Sequence, residues 1–131
     1  MHKGSCLCGA IHYEINHEID SVLLCHCSRC RKANGSAFAA NAPVPAKDFR
    51  IVQGEAQLSV FRTAEGVQRL FCSVCASPII SRRENAPEVV RLRIGTLDTP
   101  LDIKPSAHIF TASKAEWLCI HDDLPQYAER P

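Results

Sequence analysis

The chain has 131 residues, 15 Lys+Arg against 14 Asp+Glu for a formal net charge of +1, 46% hydrophobic residues and 8 Cys. That length suits one domain over residues 1–131, and the apolar content excludes a polar, disordered chain. A pI near 7.6 supplies no global field for gripping a phosphate backbone, so no nucleic-acid partner is expected.

Taken in chain order, residues 1–9 hold the first thiol pair, Cys6-x-Cys8, and no apolar run of signal-peptide type. No later segment approaches membrane-spanning length, so a cytoplasmic protein with no membrane partner is expected. Ile11, Tyr13 and Ile15 alternate with His12 and Glu14, the pattern of a strand with one wet face. Residues 22–24 read as a short strand running into Cys25-x-Cys27-x-x-Cys30. A short helix is expected over 28–34, with Ser28 as its cap and Gly35 as its end. Residues 38–42 read as a strand, 43–47 as a helical turn, and 49–52 and 58–62 as two further strands. Val67, Arg69 and Phe71 alternate with Gln68 ahead of Cys72-x-x-Cys75, and residues 78–81 follow as a strand. Val90, Leu92 and Ile94 alternate with Arg91 and Arg93, which are expected on a wet face, as is Arg82-Arg83. Residues 108–110 and 117–120 are the last strand candidates, and the acidic tail from Asp122 is expected to wrap the surface. The fold class is mainly β with a few short helical turns.

Seven of the eight cysteines fall into the three tight groups just named. In a reducing cytosol such grouping points to metal ligation and not to disulfides. A Cys-x-Cys on extended chain turns both sulfurs to one face, and a Cys-x-x-Cys turn gathers two sulfurs under backbone N–H groups that can donate to thiolates. The count then suggests four ligands plus three: a closed site for structural zinc, with Zn–S distances of about 2.3 Å, and an open site with a position for water or substrate. Spacing leaves open which pairs join, although only the segment from Cys25 to Cys30 offers three ligands locally. The pairs Cys6/Cys8 and Cys72/Cys75 would then staple the N-terminal strand to the middle of the chain. The bland alternative for Cys25, Cys27 and Cys30 is a second closed site completed by His26, His108 or Cys119. Thioredoxin-like use of Cys72 and Cys75 lacks the βαβ setting it needs, while iron–sulfur ligation stays open.

Cys119, between Leu118 and Ile120, is expected to be a small buried apolar residue. His108 reads as a core or supporting histidine, with proton transfer as the sharper alternative, and His26 is the other candidate proton carrier. Arg29, Arg31 and Lys32 around Cys30 read either as a solvated basic turn or as holders of the carboxylates of a small anionic thiol. Aromatic residues make up only 6%, so the interleaved aromatic and basic pattern of an RNA-binding zinc module is absent.

Four stretches carry a resemblance. Gly4-Ser5-Cys6-Leu7-Cys8-Gly9-Ala10, then Cys25-His26-Cys27-Ser28-Arg29-Cys30-Arg31-Lys32 with Gly35-Ser36-Ala37-Phe38, then Phe71-Cys72-Ser73-Val74-Cys75, resemble the glutathione-dependent formaldehyde-activating enzyme family, which also includes centromere protein V. The closing Pro105-Ser106-Ala107-His108-Ile109-Phe110, with Trp117 and Asp123-Leu124-Pro125-Gln126-Tyr127, is similar to the family's C-terminal pattern. The resemblance implies a β-tent fold of stacked antiparallel sheets with two zinc ions. It implies a structural site at Cys6, Cys8, Cys72 and Cys75 and a catalytic one at Cys25, Cys27 and Cys30. It also implies a carbon–sulfur lyase acting on glutathione, or a similar small thiol, and formaldehyde or another small aldehyde. The rival expectation is a non-catalytic, zinc-stabilised binding module in which both metals are structural. Where the family carries Gly after the second cysteine of the third group, this chain has Ala76; if that residue needs φ > 0, its methyl costs on the order of 1 kcal/mol.

Overall fold

The computed structural model describes residues 1–131. In chain order the elements are β1 (His2–Ser5), β2 (His12–Ile15), β3 (Leu23–Cys25), helix α1 (Ser28–Asn34), β4 (Ala39–Pro45) and β5 (Phe49–Gln53). They continue with β6 (Leu58–Arg62), β7 (Val67–Cys72), β8 (Pro78–Arg83), β9 (Ala86–Arg93) and β10 (Ala107–Ile109). The fold is mainly β, and no helix is long and apolar enough to cross a membrane.

The strands make two sheets, one of three strands in the order β1-β2-β5 and one of seven in the order β10-β3-β4-β9-β8-β7-β6. Every pairing is antiparallel except β10 with β3, which is parallel, so the stacked sheets are not antiparallel throughout. Tyr13 and Ile15 from the small sheet, with Ile11 just ahead of β2, meet Val44, Leu70, Val90 and Leu92 from the large one in a single buried cluster. Burial of these side chains holds the layers together at about 1.5–3 kcal/mol for each large residue.

Several expectations are corrected. Residues 43–47 are not a helical turn: β4 continues to Pro45, and only Ala46–Asp48 winds into a 3-10 turn. β3 covers β4 only at Ala39 to Asn41, so the open edge beyond Asn41 accepts Pro43 and Pro45, which cannot donate to a ladder. Residues 117–120 are not a strand, because the Lys114 amino group donates to the carbonyls of Ala115 and Leu118 and winds this segment into a turn. Cys119 is therefore exposed, not buried, and so is Trp117. The tail does wrap the surface: Tyr127 N–H donates to His108 O at 2.9 Å and Phe110 N–H donates to Glu129 O at 2.9 Å, which lays it along β10.

The alternation in the large sheet positions the site. Val90 and Leu92 of β9 point into the core, so Arg91 and Arg93 share the opposite face. Register then sets Pro43, Arg91, Ser81 and Arg69 in one row across β4, β9, β8 and β7. The neighbouring row sets Leu23, Asn41 and Arg93 across β3, β4 and β9. That face was expected to be wet, and instead Arg93 is 5% exposed. It forms the floor of a cavity.

Ala76 has φ 66, the left-handed region. Its N–H donates to Cys72 O at 2.8 Å and closes the turn over the third thiol group, so the turn imposes the conformation. Ala76→Gly is expected to stabilise the protein by about 0.5–1 kcal/mol, read as a higher denaturant midpoint at unchanged slope.

Candidate metal centres

The first centre draws on both sheets, since Cys6 follows β1 and Cys72 ends β7. Two tight turns set the sulfurs: Gly9 N–H donates to Cys6 O at 3.1 Å, and Ala76 N–H to Cys72 O. Ile11 N–H donates to Cys6 Sγ at 3.2 Å, a bond that helps to hold that thiol below its ordinary value, and Val74 N–H donates to Cys72 Sγ at 3.4 Å. The Ser77 hydroxyl and N–H hold Cys75 down to about 5. The Sγ atoms of Cys6, Cys8, Cys72 and Cys75 all lie within 4.8 Å of one another, with Cys6–Cys8 at 3.6 Å and Cys8–Cys72 at 3.8 Å. A tetrahedron with arms of about 2.3 Å has edges of about 3.8 Å, so these four donors fit one ion. The cluster could hold a metal with every position filled by sulfur.

The second centre sits where β3 gives way to α1. Cys25 ends the strand, and the N-cap of the helix is Cys27, not Ser28: its Sγ accepts from Cys30 N–H at 3.3 Å. Gly35 ends the helix as expected, at φ 62, with its N–H donating to Arg31 O. Cys25, Cys27 and Cys30 bring their sulfurs within 4.8 Å of one another, and neither His26, His108 nor Cys119 joins them. The contacts from Cys25 and Cys30 hold Cys27 down to about 2, and the contacts from Cys27 and Cys30 push Cys25 up. Three thiols this close share negative charge, the electrostatics of a cation site. This cluster too could hold a metal ion, and it offers only three protein ligands.

The three sulfurs open onto a cavity of about 390 Å³ on the arginine face of the large sheet. Six of the chain's ten arginines line it: Arg29, Arg69, Arg83, Arg91, Arg93 and Arg130. Arg93 Nη1 donates to Asn41 Oδ1, and both residues are buried. Burial pulls Arg93 down to about 10, while the Cys30 thiolate pulls the other way, so Arg93 stays charged at neutral pH. Arg91 is lowered by burial and then by Arg83 beside it. Arg69 Nη2 approaches Cys30 Sγ at 4.0 Å. Of the basic residues around Cys30, only Arg29 reaches the cavity, where Glu65 pairs with it at 2.8 Å. Arg31 instead donates to His26 O at 3.4 Å, and Lys32 is exposed.

His26 and His108 are both buried and line no part of the cavity. His26 Nε2 and His108 Nδ1 are 2.7 Å apart, and His108 Nε2 lies 2.9 Å from Asp122 Oδ2. The carboxylate only accepts, so His108 Nε2–H donates to it; with one proton per ring, His26 Nε2–H donates to His108 Nδ1. Burial pushes the pKa of His26 down and keeps it neutral. This chain of bonds pins the Cys25–Cys30 loop to β10 and the tail. It does not put a proton carrier in the cavity.

The hydrogen bond from His108 holds the Asp122 carboxyl below its ordinary value of 3.8. A depressed carboxyl contributes stability above that ordinary value and loses it as pH falls through the lower folded-state value. Asp122→Asn should therefore lower the denaturant midpoint at pH ~7 and leave it unchanged at pH ~2, flattening the acid limb of the stability curve.

A family model described as "Glutathione-dependent formaldehyde-activating enzyme" matches residues 1–113. A "Putative glutathione-dependent formaldehyde-activating enzyme" of Halomonas elongata is 31% identical over 125 residues, covering 88% of this chain and 78% of that protein. A crystal structure of a Rhodobacter sphaeroides protein superposes with a TM-score of 0.65 at 25% identity, over 76% of this chain and 91% of the other.

Proposed function

Because the chain belongs to the glutathione-dependent formaldehyde-activating enzyme family, we propose that it is a zinc-dependent carbon–sulfur lyase that joins a small thiol to a small aldehyde and reverses that step. The observation that carries this reading is the difference between the two centres: one gathers four thiols, the other gathers three and faces a cavity. In the forward direction the thiol sulfur bonds to the aldehyde carbon, the carbonyl π bond opens onto oxygen, and the thiol proton ends on the new hydroxyl. Cys6, Cys8, Cys72 and Cys75 would hold a structural zinc, and Cys25, Cys27 and Cys30 the zinc at the reacting end. Zinc held there by Cys25, Cys27 and Cys30 would supply Lewis acidity, which would lower the pKa of a thiol bound to it and make a thiolate available at neutral pH.

The protein's own groups prepare that end of the cavity. Arg69, next to Cys30, would offset the negative charge that three thiolates leave on a divalent ion. The His26–His108–Asp122 chain holds the ligand loop in place from behind. Eight cysteines free of disulfides support a reducing, cytoplasmic setting. The test follows S-hydroxymethyl adduct formation from formaldehyde and glutathione, or another small thiol, by NMR exchange. The zinc-loaded protein is expected to accelerate exchange above buffer. No acceleration with any thiol of the panel would leave the non-catalytic zinc-stabilised module.

A further inference from the structure

The charge around the cavity has no counterpart within it. Glu65 neutralises Arg29, but Arg69, Arg83, Arg91, Arg93 and Arg130 form no ion pair, and no Asp or Glu lines the cavity. Arg69 Nη1 is buried with no hydrogen-bond partner at all. Three thiolates on a divalent ion leave a single negative charge, too little to balance five guanidinium groups. The chain as a whole carries a net charge of only +1, so this is concentration of positive charge and not an excess spread over the surface. Guanidinium forks suit carboxylate and phosphate oxygens, and a buried unpaired donor is costly unless a ligand satisfies it.

Resting on the thiol–aldehyde reading above, we propose that the cavity selects a small thiol with two or more negative charges, carried as carboxylate or phosphate, and no ammonium group. The row of Pro43, Arg91, Ser81 and Arg69 gives the ligand a floor with cations at separate points, so two anionic groups can be held while the sulfur faces Cys25, Cys27 and Cys30. Arg130 lines the cavity from the tail, its guanidinium 5.6 Å from the centre of the Phe110 ring. An ammonium group entering here would find no carboxylate to pair with and would meet like charge along the arginine face. Glutathione carries such a group, so the charge pattern places it behind a dianionic thiol of similar size.

The test is calorimetric titration of the full, zinc-loaded chain with mercaptosuccinate, 2-mercaptoethyl phosphate, glutathione, 2-mercaptoethanol and succinate. Mercaptosuccinate or the phosphate thiol should bind at least ~10-fold tighter than glutathione and ~100-fold tighter than 2-mercaptoethanol, and the tighter of the two dianions identifies the anionic group. Arg91→Ala and Arg130→Ala should each weaken that thiol by ~10-fold, and raised salt should weaken it further. Arg130 lies on the exposed tail, so its variant keeps the fold even if Arg91→Ala does not. The proposal falls if 2-mercaptoethanol binds as tightly as the dianions, if glutathione binds tighter than both, or if Arg130→Ala and raised salt change nothing. Failure of the underlying reading looks different: succinate would bind with the same arginine dependence while no thiol gained affinity over it and no adduct exchange was accelerated.

Discussion

Cys72→Ser is expected to cost the protein one metal ion and to lower its thermal midpoint by ~20 °C or more. Cys72 is fully buried at the end of β7, and its partners Cys6 and Cys8 lie beyond the end of β1 in the other sheet. Structural zinc sites in small domains contribute on the order of 10 kcal/mol at neutral pH, comparable with the ~5–15 kcal/mol by which a whole domain is stable. Serine is a poor zinc ligand, and its hydroxyl would sit where Val74 N–H now donates to a sulfur. Metal analysis and thermal unfolding of the same sample check both parts of this expectation.

Cys27→Ser is expected to do nearly the opposite. It should lower metal content from two ions to one and bring adduct formation down to the buffer rate, while the midpoint falls by only ~5 °C or less. The mild effect on the fold has a local reason: Cys27 caps α1, and a serine oxygen can accept the Cys30 N–H equally well. The loop also keeps its other anchors, the pairing of Cys25 with Ala39 and the bond between His26 and His108. Equal losses of stability from the two substitutions would mean that both centres are structural.

The thiol groups were legible in the sequence because their geometry is local: two or three residues of spacing bring sulfurs together in a turn or on one face. Most strands were legible for the same reason, as β6 shows at residues 58–62. β1 was not, because His2-Lys3-Gly4-Ser5 has no apolar alternation. It becomes a strand by pairing with β2, where Gly4 packs so closely that a Cβ would come within 2.2 Å of the Tyr13 ring. Residues 117–120 read as a strand because Leu118 and Ile120 suggest alternation, and the amino group of Lys114 overrides it.

The arginine face is the most instructive difference. Alternation in β9 correctly separates Arg91 and Arg93 from Val90 and Leu92, but period alone does not say what stands over each face. Here the second face is one wall of a cavity that the Cys25–Cys30 loop, the end of β10 and the tail also line, each distant in sequence from β9. Arg69 and Arg130 carried no signal of their own, since nothing near them in the chain marks them as neighbours of a thiol cluster. Register and tail docking bring them there.

The central claim, that one thiol centre is open and the other closed, is tested most directly by zinc X-ray absorption on the fully loaded protein before and after saturation with mercaptosuccinate or glutathione. A mean of about 3.5 sulfurs per zinc is expected before addition, rising to about 4 as the thiol takes the fourth position beside Cys25, Cys27 and Cys30. A sulfur count that starts at 4 per zinc and stays there, or one that no thiol alters, would contradict it.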